Sequence, residues 1–223
     1  MSKLTSCVKS EVLKRVSNSE QSVAHRFDHI ERVMHNALKI AATIQGVDYE
    51  LLELAVLLHD VDQPTGRKAE HVELSLLAAE EILRQAGCPN DRASDVLTVI
   101  AEHSSEHVRT IKPSTDEARV LFDADKLDGL AAVGIARVFS MFGQMGLAPF
   151  EAIEWYKRKI EIASEYVQTD EGRRLFALRL PYVQQFLSEM ESEAGDVADI
   201  WKSGKFDSYA ALPPPTFSSG SEV

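Results

Sequence analysis

Apolar residues recur at helical spacing along much of the chain. From Ile30 to Ile44 they fall three and four residues apart with polar residues between them, which is typical of an amphipathic helix. A second stripe, from Phe176 to Met190, alternates steps of four and three. Pro181 lies inside this stripe, so we expect the helix there to kink or to begin later.

The other apolar segments also predict helices. Residues 51–58 are apolar on nearly every side, which is typical of a helix buried all round, and Asp48 is a plausible N-cap for it. Further stripes predict helices across 72–83, 96–103 and 153–167, and an apolar segment leads up to Phe122. No alternating strand pattern occurs, so we predict an all-α fold, a helical bundle.

Composition fits one domain with a tail. Of 223 residues, 44% are hydrophobic and 26% charged, which is the balance of a globular protein. We predict one helical domain over residues 1–203. Residues 204–223 are rich in proline and serine, and we expect this tail to be disordered.

Charge and cysteine content narrow the function classes. The net charge is −11, which disfavours nucleic acid and anionic membranes as partners. With two cysteines and no disulfide framework, a reducing compartment is expected. The first residues lack the apolar core of a signal peptide, and no segment has the length of a membrane span. We therefore expect a cytoplasmic protein.

Four side chains of the metal-ligand type fall at the ends or inner faces of predicted helices. His29 borders the core-facing stripe of its helix, His59 and Asp60 end the most apolar helix, and Asp125 follows the apolar run that reaches Phe122. A buried carboxylate is costly unless its charge is compensated. Imidazole with carboxylate suits divalent ions such as Mn²⁺, Fe²⁺ or Co²⁺. These residues therefore predict a metal site.

The segments around these residues resemble a known family. Residues 27–33, 57–61 and 123–130 are similar in order and in flanking sequence to the HD superfamily of metal-dependent phosphohydrolases, in particular to its small stand-alone members. The resemblance spans roughly residues 20–193. It departs after the His-Asp dipeptide, where residues 61–64 replace the glycine and basic residues that are common in the subgroup.

The resemblance implies both a ligand set and a reaction. His29, His59, Asp60 and Asp125 would coordinate one divalent ion, Mn²⁺ in the first instance, with Mg²⁺, Co²⁺ or Fe²⁺ as alternatives. The reaction would be hydrolysis of a phosphate ester or anhydride of a nucleotide by a metal-activated water. The stand-alone relatives suggest a nucleoside or deoxynucleoside triphosphate, cleaved to the monophosphate and pyrophosphate. The partner would thus be a small phosphorylated molecule.

Neighbouring polar residues are candidates for catalysis and substrate binding. Asp62 could hydrogen-bond the attacking water, and Lys126 could neutralise charge on the phosphate. Arg32, Arg67 and Lys68 could also face the phosphate. For Arg32, as for Arg137 further along the chain, an ion pair with a buried carboxylate is an equal alternative.

The remaining histidines and aromatic residues leave alternatives open. His71 and His103 could contact the substrate phosphate or a second metal ion, or could be hydrogen-bonded histidines of the core. His25 and His35 are expected at the surface or on a helix flank. Trp155 and Tyr156 could stack on a base, although a core position is favoured. Asp123 and Asp128 are expected to cap or to support other groups rather than to bind metal.

Two other functions compete with the phosphohydrolase. The first is a di-iron oxygenase, as some HD proteins are, which requires that His71 and His103 both ligate a second iron. The second is a non-catalytic nucleotide-binding regulatory module, against which the intact ligand set argues.

Overall fold

The computed structural model describes residues 2–17, 21–64, 70–104 and 112–195. Within these ranges the secondary structure is helical, apart from an isolated bridge between Gln21 and Pro64. The all-α prediction is confirmed. The predicted tail, residues 204–223, lies outside the described residues.

The described part of the chain contains nine α-helices and one short 3₁₀ helix. The first half comprises α1 (Lys3–Val16), the 3₁₀ helix (Val23–His25), α2 (Phe27–Ala41), α3 (Tyr49–Leu58), α4 (His71–Gln85) and α5 (Asn90–Ala101). The second half comprises α6 (Asp116–Asp128), α7 (Ala131–Gln144), α8 (Pro149–Tyr166) and α9 (Asp170–Ala194). No described helix is long and apolar enough to cross a membrane.

Local capping residues set where several helices begin. The side chain of Asp48 accepts a hydrogen bond from the Leu51 amide at the start of α3, as predicted. Thr115 caps α6 and Thr169 caps α9 in the same way. Each cap satisfies an amide that has no partner within its own helix.

Helix α3 lies at the centre of the bundle. Seven of its ten residues are buried, and it contacts α1, α2, α5 and α6. The prediction of a helix buried all round is therefore confirmed. Helix α2 packs along α6 beside it, so residues at the C-terminal end of α3 open onto the space between these helices.

Helix α9 contains Pro181. The helix begins at Asp170 and continues through Pro181 to Ala194, so of the two predicted effects, a kink or a later start, the later start is wrong. Pro181 and Ala177, four residues earlier, are both exposed. Water can therefore hydrate the Ala177 carbonyl, which lacks its usual amide donor.

A close backbone approach joins α7 to the end of α6. A Cβ atom placed on Gly134 would lie 2.2 Å from the carbonyl carbon of Gly129 and 2.4 Å from its oxygen. These distances are far below van der Waals contact, so only glycine fits. The Gly129 carbonyl also accepts a hydrogen bond of 2.6 Å from the Tyr156 hydroxyl, which ties α8 to the same point.

This contact predicts that alanine substitution at two glycines of α7 changes stability differently. Gly134→Ala should lower the free energy of unfolding by about 1–3 kcal/mol, the usual cost of overpacking. Gly143→Ala on α7 is the matched control, because Gly143 is exposed and a Cβ there meets nothing within 4 Å. The control should be neutral or stabilising by up to about 1 kcal/mol. Urea unfolding measures both, and equal effects would show that the approach at Gly129 is not restrictive.

Candidate metal centre

The structure brings together the four residues predicted as ligands. His29 lies in the first turn of α2, Asp125 in the last turn of α6, and His59 and Asp60 directly follow α3. One donor atom from each residue lies within 4.8 Å of the others. The packing of α2 and α6 beside α3 therefore produces the cluster.

The two histidines face each other and both carboxylates. The Nε2 atom of His29 lies 3.3 Å from Nε2 of His59, 3.5 Å from Oδ2 of Asp60 and 3.6 Å from Oδ1 of Asp125. The distance from His59 Nε2 to Asp60 Oδ2 is 3.6 Å. Both imidazole rings are fully buried.

The other ring nitrogens have acceptors outside the cluster. His59 Nδ1 donates to the Val56 carbonyl at 2.8 Å, and His29 Nδ1 donates to Asp128 Oδ2 at 2.8 Å. A neutral imidazole that donates from Nδ1 has its lone pair on Nε2. In both rings this lone pair points into the cluster.

Such a set of atoms fits a cation. Burial lowers the pKa of His59 to about 4, so this ring is neutral at pH 7. The two Nε2 atoms and two carboxylates meet in a largely buried space, where a cation between them would compensate the carboxylate charge. Nitrogen and oxygen donors without thiolate match the ligands of first-row divalent ions.

Asp128 supports His29 from behind. Its carboxylate accepts from His29, from Arg32 Nε at 2.7 Å, and from Arg137 at 2.7 Å. Burial acts to raise the pKa of Asp128, but the His29 hydrogen bond and the Arg137 charge outweigh it and lower the pKa to about 2. The ionised carboxylate therefore holds the His29 ring in one orientation and one tautomer.

Asp125 is paired with the next residue along the chain. The Lys126 ammonium forms an ion pair with Asp125 Oδ2 and lies 5.1 Å from the centre of the Phe122 ring. Burial acts to raise the pKa of Asp125, but Lys126 and then His59 lower it well below its usual range. Asp125 is thus ionised beside the histidines.

A second group of possible ligands shares Asp60. One donor atom from each of Asp60, His71 and His103 lies within 4.8 Å of the others, and all three side chains are buried. His103 Nδ1 donates to the Ile100 carbonyl at 2.5 Å, while its Nε2 lies 3.6 Å from Asp60 Oδ1. The two oxygens of Asp60 therefore face different histidines, an arrangement that could bridge two ions.

The cluster lies at one end of a cavity that reaches the surface. His71, His103, Asp125, Lys126 and Arg137 line its polar end. The other lining residues include apolar side chains of α7 and α8, together with Lys159 of α8. A ligand that enters the cavity can therefore contact the cluster, three cationic side chains (Lys126, Arg137 and Lys159) and apolar side chains together.

Comparisons with known proteins agree with this geometry. Residues 26–130 match the HD domain family model. The chain is 26% identical to YpgQ of Bacillus subtilis (strain 168) over 181 residues, which cover 78% of this chain and 87% of YpgQ. A protein of an uncultured Thermotogales bacterium, named a predicted HD superfamily hydrolase, has a solved structure with TM-score 0.56 and 26% identity, covering 86% of this chain and 91% of that one.

Residues 26–130 thus match the HD domain. A solved structure of YpgQ in complex with ADP shares the fold of this HD domain, with TM-score 0.64 and 23% identity over 85% of this chain and 97% of YpgQ. The matched segment begins just before His29 and ends just after Asp128. It therefore includes the whole predicted ligand set.

The other predicted site residues have different locations in the structure. Lys126 lines the cavity. Arg32 forms ion pairs with Asp28 and Asp128 and is not among the described residues that line the cavity, so its placement matches the ion-pair alternative. Arg67 and Lys68 lie outside the described residues.

Asp62 does not lie where the sequence analysis placed it. Its Oδ2 accepts a hydrogen bond of 2.7 Å from Arg15 of α1, and it is not among the described cavity-lining residues. Because the chain turns after α3, the next residue, Gln63, lines the cavity instead. With its amide nitrogen facing Asp60, Gln63 donates to both carboxylate oxygens at 3.2 Å.

His25 lies closer to the cluster than a surface position would place it. The prediction is a position at the surface or on a helix flank. His25 ends the 3₁₀ helix, but only 12% of its side chain is exposed, and its Nε2 lies 3.9 Å from Asp60 Oδ2. Hydrogen bonds from Gln21 and Arg137 hold this segment in place, and neither residue belongs to an amphipathic stripe found in the sequence. The buried Gln21 amide donates to the carbonyls of His25 and Asp60, and Arg137 donates twice to the Ala24 carbonyl. Helical spacing gives no signal for either contact.

The buried pairing of Asp128 gives a stability prediction. In metal-free protein, Asp128→Asn should lower the free energy of unfolding by about 3 kcal/mol, the lower end of the range for breaking a buried ion pair. The lower end is expected because Arg32 still has Asp28 as an acceptor and Arg137 still has the Ala24 carbonyl. Asp62→Asn is the control.

The control removes the same charge from an exposed pair with Arg15, which should cost less than about 1 kcal/mol. Urea unfolding in the presence of a chelator compares the two variants. Equal losses would contradict a structural role for the Asp128 network.

Proposed function

We propose that the protein is a metal-dependent phosphohydrolase that acts on a phosphate ester or anhydride of a nucleotide. The observation that carries the proposal is the convergence of the His29 and His59 lone pairs on Asp60 and Asp125, at one end of an open cavity. A second support is the HD superfamily hydrolase fold of its structural relative.

The proposed roles follow from the contacts. His29, His59, Asp60 and Asp125 hold one divalent cation, Mn²⁺ in the first instance. A bound cation would neutralise charge on a phosphoryl oxygen and lower the pKa of the attacking water. In the reaction, the water oxygen forms a bond to phosphorus, the bond to the leaving oxygen breaks, and a proton of the water is released.

Cationic side chains at the polar end suit an anionic substrate. Lys126 and Arg137 both line the cavity of a protein whose net charge is −11, so the site is a local exception to an acidic composition. These cations can neutralise charge that develops on the phosphoryl group. ADP in the YpgQ structure supports a nucleotide, and a nucleoside triphosphate cleaved to monophosphate and pyrophosphate is the form we propose.

One observation favours a second candidate function. The group formed by Asp60, His71 and His103 could hold a second ion beside the first, as a di-iron oxygenase requires. The same group could hold two ions for hydrolysis, or the two histidines could contact the phosphate. Metal content therefore separates the candidates only when it is combined with an activity measurement.

The proposal predicts that nucleotide hydrolysis depends on bound metal. Purified protein loaded with Mn²⁺, Mg²⁺, Co²⁺ or Fe²⁺ should release phosphate or pyrophosphate from nucleotides. The metal content of the same samples is measured alongside the release. Release that requires an added divalent ion supports the phosphohydrolase. Two irons per chain with oxygen consumption and no phosphate release would instead identify the oxygenase.

Asp125→Ala tests the ligand assignment. Loss of an outer partner of a metal ligand costs about 10–100-fold in metal affinity or activity, so loss of a direct ligand should reduce both by at least about 100-fold. Asp116→Ala on the same helix is the control, because Asp116 is exposed and pairs only with Arg119 among the ion pairs described. Full occupancy and turnover in Asp125→Ala would refute the assignment.

Lys126→Ala tests the phosphate contact. The variant should retain its metal and show a KM raised or a kcat lowered by about tenfold, since a cation in the site stabilises charge on the phosphoryl group. Arg119→Ala, which removes an exposed cation from α6, should leave both constants unchanged. Kinetics of Lys126→Ala equal to those of the parent would remove Lys126 from the site.

A further inference from the structure

We propose that the wall formed by α7 and α8 is a nucleobase-binding subsite in which Trp155 provides the stacking surface. The inference rests on the proposed function, because it takes the phosphate to lie at the cluster. It goes further by specifying what holds the organic part of the substrate.

The cavity has two ends of different chemistry. The polar end carries the histidine and carboxylate cluster with Lys126 and Arg137. The lining contributed by α7 and α8 is mostly apolar, with Val138, Met141, Trp155, Ile160 and Ala163 beside the cationic Arg137 and Lys159. A molecule that fills both ends must join an anionic group to an apolar one.

Trp155 and Tyr156 are adjacent in sequence but differ in their surroundings. Tyr156 is 2% exposed, and its hydroxyl donates to the Gly129 carbonyl, which is a core position. Trp155 is only half-buried and lines the cavity. A core position is the favoured prediction for both residues, and the structure confirms it for Tyr156 alone.

Two contacts hold the Trp155 ring in place. Phe142 of α7 packs against it with ring centres 5.6 Å apart at an angle of 60°. The ammonium of Lys159, one turn further along α8, lies 5.6 Å from the ring centre. A ring held by its neighbours loses little conformational freedom when a ligand stacks on it.

A nucleobase suits this wall better than an aliphatic group does. It is flat, and it remains connected to the phosphate that the polar end would bind. Stacking of one base on an aromatic side chain contributes about 1–3 kcal/mol and tolerates any base, which corresponds to roughly 5–150-fold in affinity. We therefore expect a subsite that accepts nucleotides of different bases and distinguishes them from base-free phosphates.

Binding of two probes to the metal-loaded protein tests the inference without turnover. Calorimetry should give the parent protein a dissociation constant for adenosine monophosphate at least about tenfold below that for inorganic phosphate. Trp155→Leu keeps apolar contact with Phe142 but removes the flat ring, so it should weaken monophosphate binding about tenfold and leave phosphate binding unchanged. Trp155→Phe should restore most of the difference.

Tyr182→Ala serves as the matched control, because Tyr182 is an exposed aromatic residue on α9 away from the cavity. It should change neither constant. Equal weakening of both probes in Trp155→Leu would reveal a structural role and overturn the proposal. Equal affinity of the parent for the two probes would overturn it as well, and that comparison requires no variant to fold.

The same probes separate this inference from the proposed function. If the parent protein prefers the nucleotide but no nucleotide is hydrolysed with any metal, the hydrolase proposal fails and the base subsite stands. If nucleotides and inorganic triphosphate are hydrolysed with the same KM, the base subsite fails and the hydrolase stands.

Discussion

The architecture depends on the convergence of imidazole lone pairs on Asp60 inside a helical core. Three rings donate from Nδ1 to an oxygen outside the cluster: His29 to Asp128, His59 to the Val56 carbonyl, and His103 to the Ile100 carbonyl. Each ring therefore directs its Nε2 atom into the cluster. Buried acceptors in such number are unfavourable without a cation. The packing of the helices therefore has to offset the unfavourable free energy of burying these acceptors in the ligand-free protein.

Helix ends make this arrangement possible. His59 follows α3 and His103 follows the end of α5, and each donates to a carbonyl three residues earlier. Carbonyls in the last turn lack an amide donor within the helix, so the hydrogen bond from His59 to Val56 also completes the end of α3. The Ile100 carbonyl also accepts from the His103 amide. One contact thus stabilises the fold and aims the Nε2 atom at the cluster.

Charge is organised in two layers around His29. Toward the cavity lie Asp60 and Asp125, and behind the ring lies Asp128 with two arginines. The arginines neutralise the outer carboxylate, so it can remain ionised without adding net negative charge next to the inner pair. Arg137 also lines the cavity, and Lys126 and Lys159 add two further cationic side chains to its lining, in a chain that is acidic as a whole.

The sequence by itself determined the all-α fold, the buried helix before His59, and the four side chains that meet at the cluster, because helical periodicity and short motifs are local properties. It did not predict that α1 and α7 are helices. Nor did it predict that His25 lies beside Asp60 or that Asp62 pairs with Arg15 instead of facing the cavity. Those depend on contacts between residues far apart in the chain, such as Gln21 with Asp60. Which face a loop residue turns to the cavity is decided by the packing of separate helices, and no local spacing encodes it.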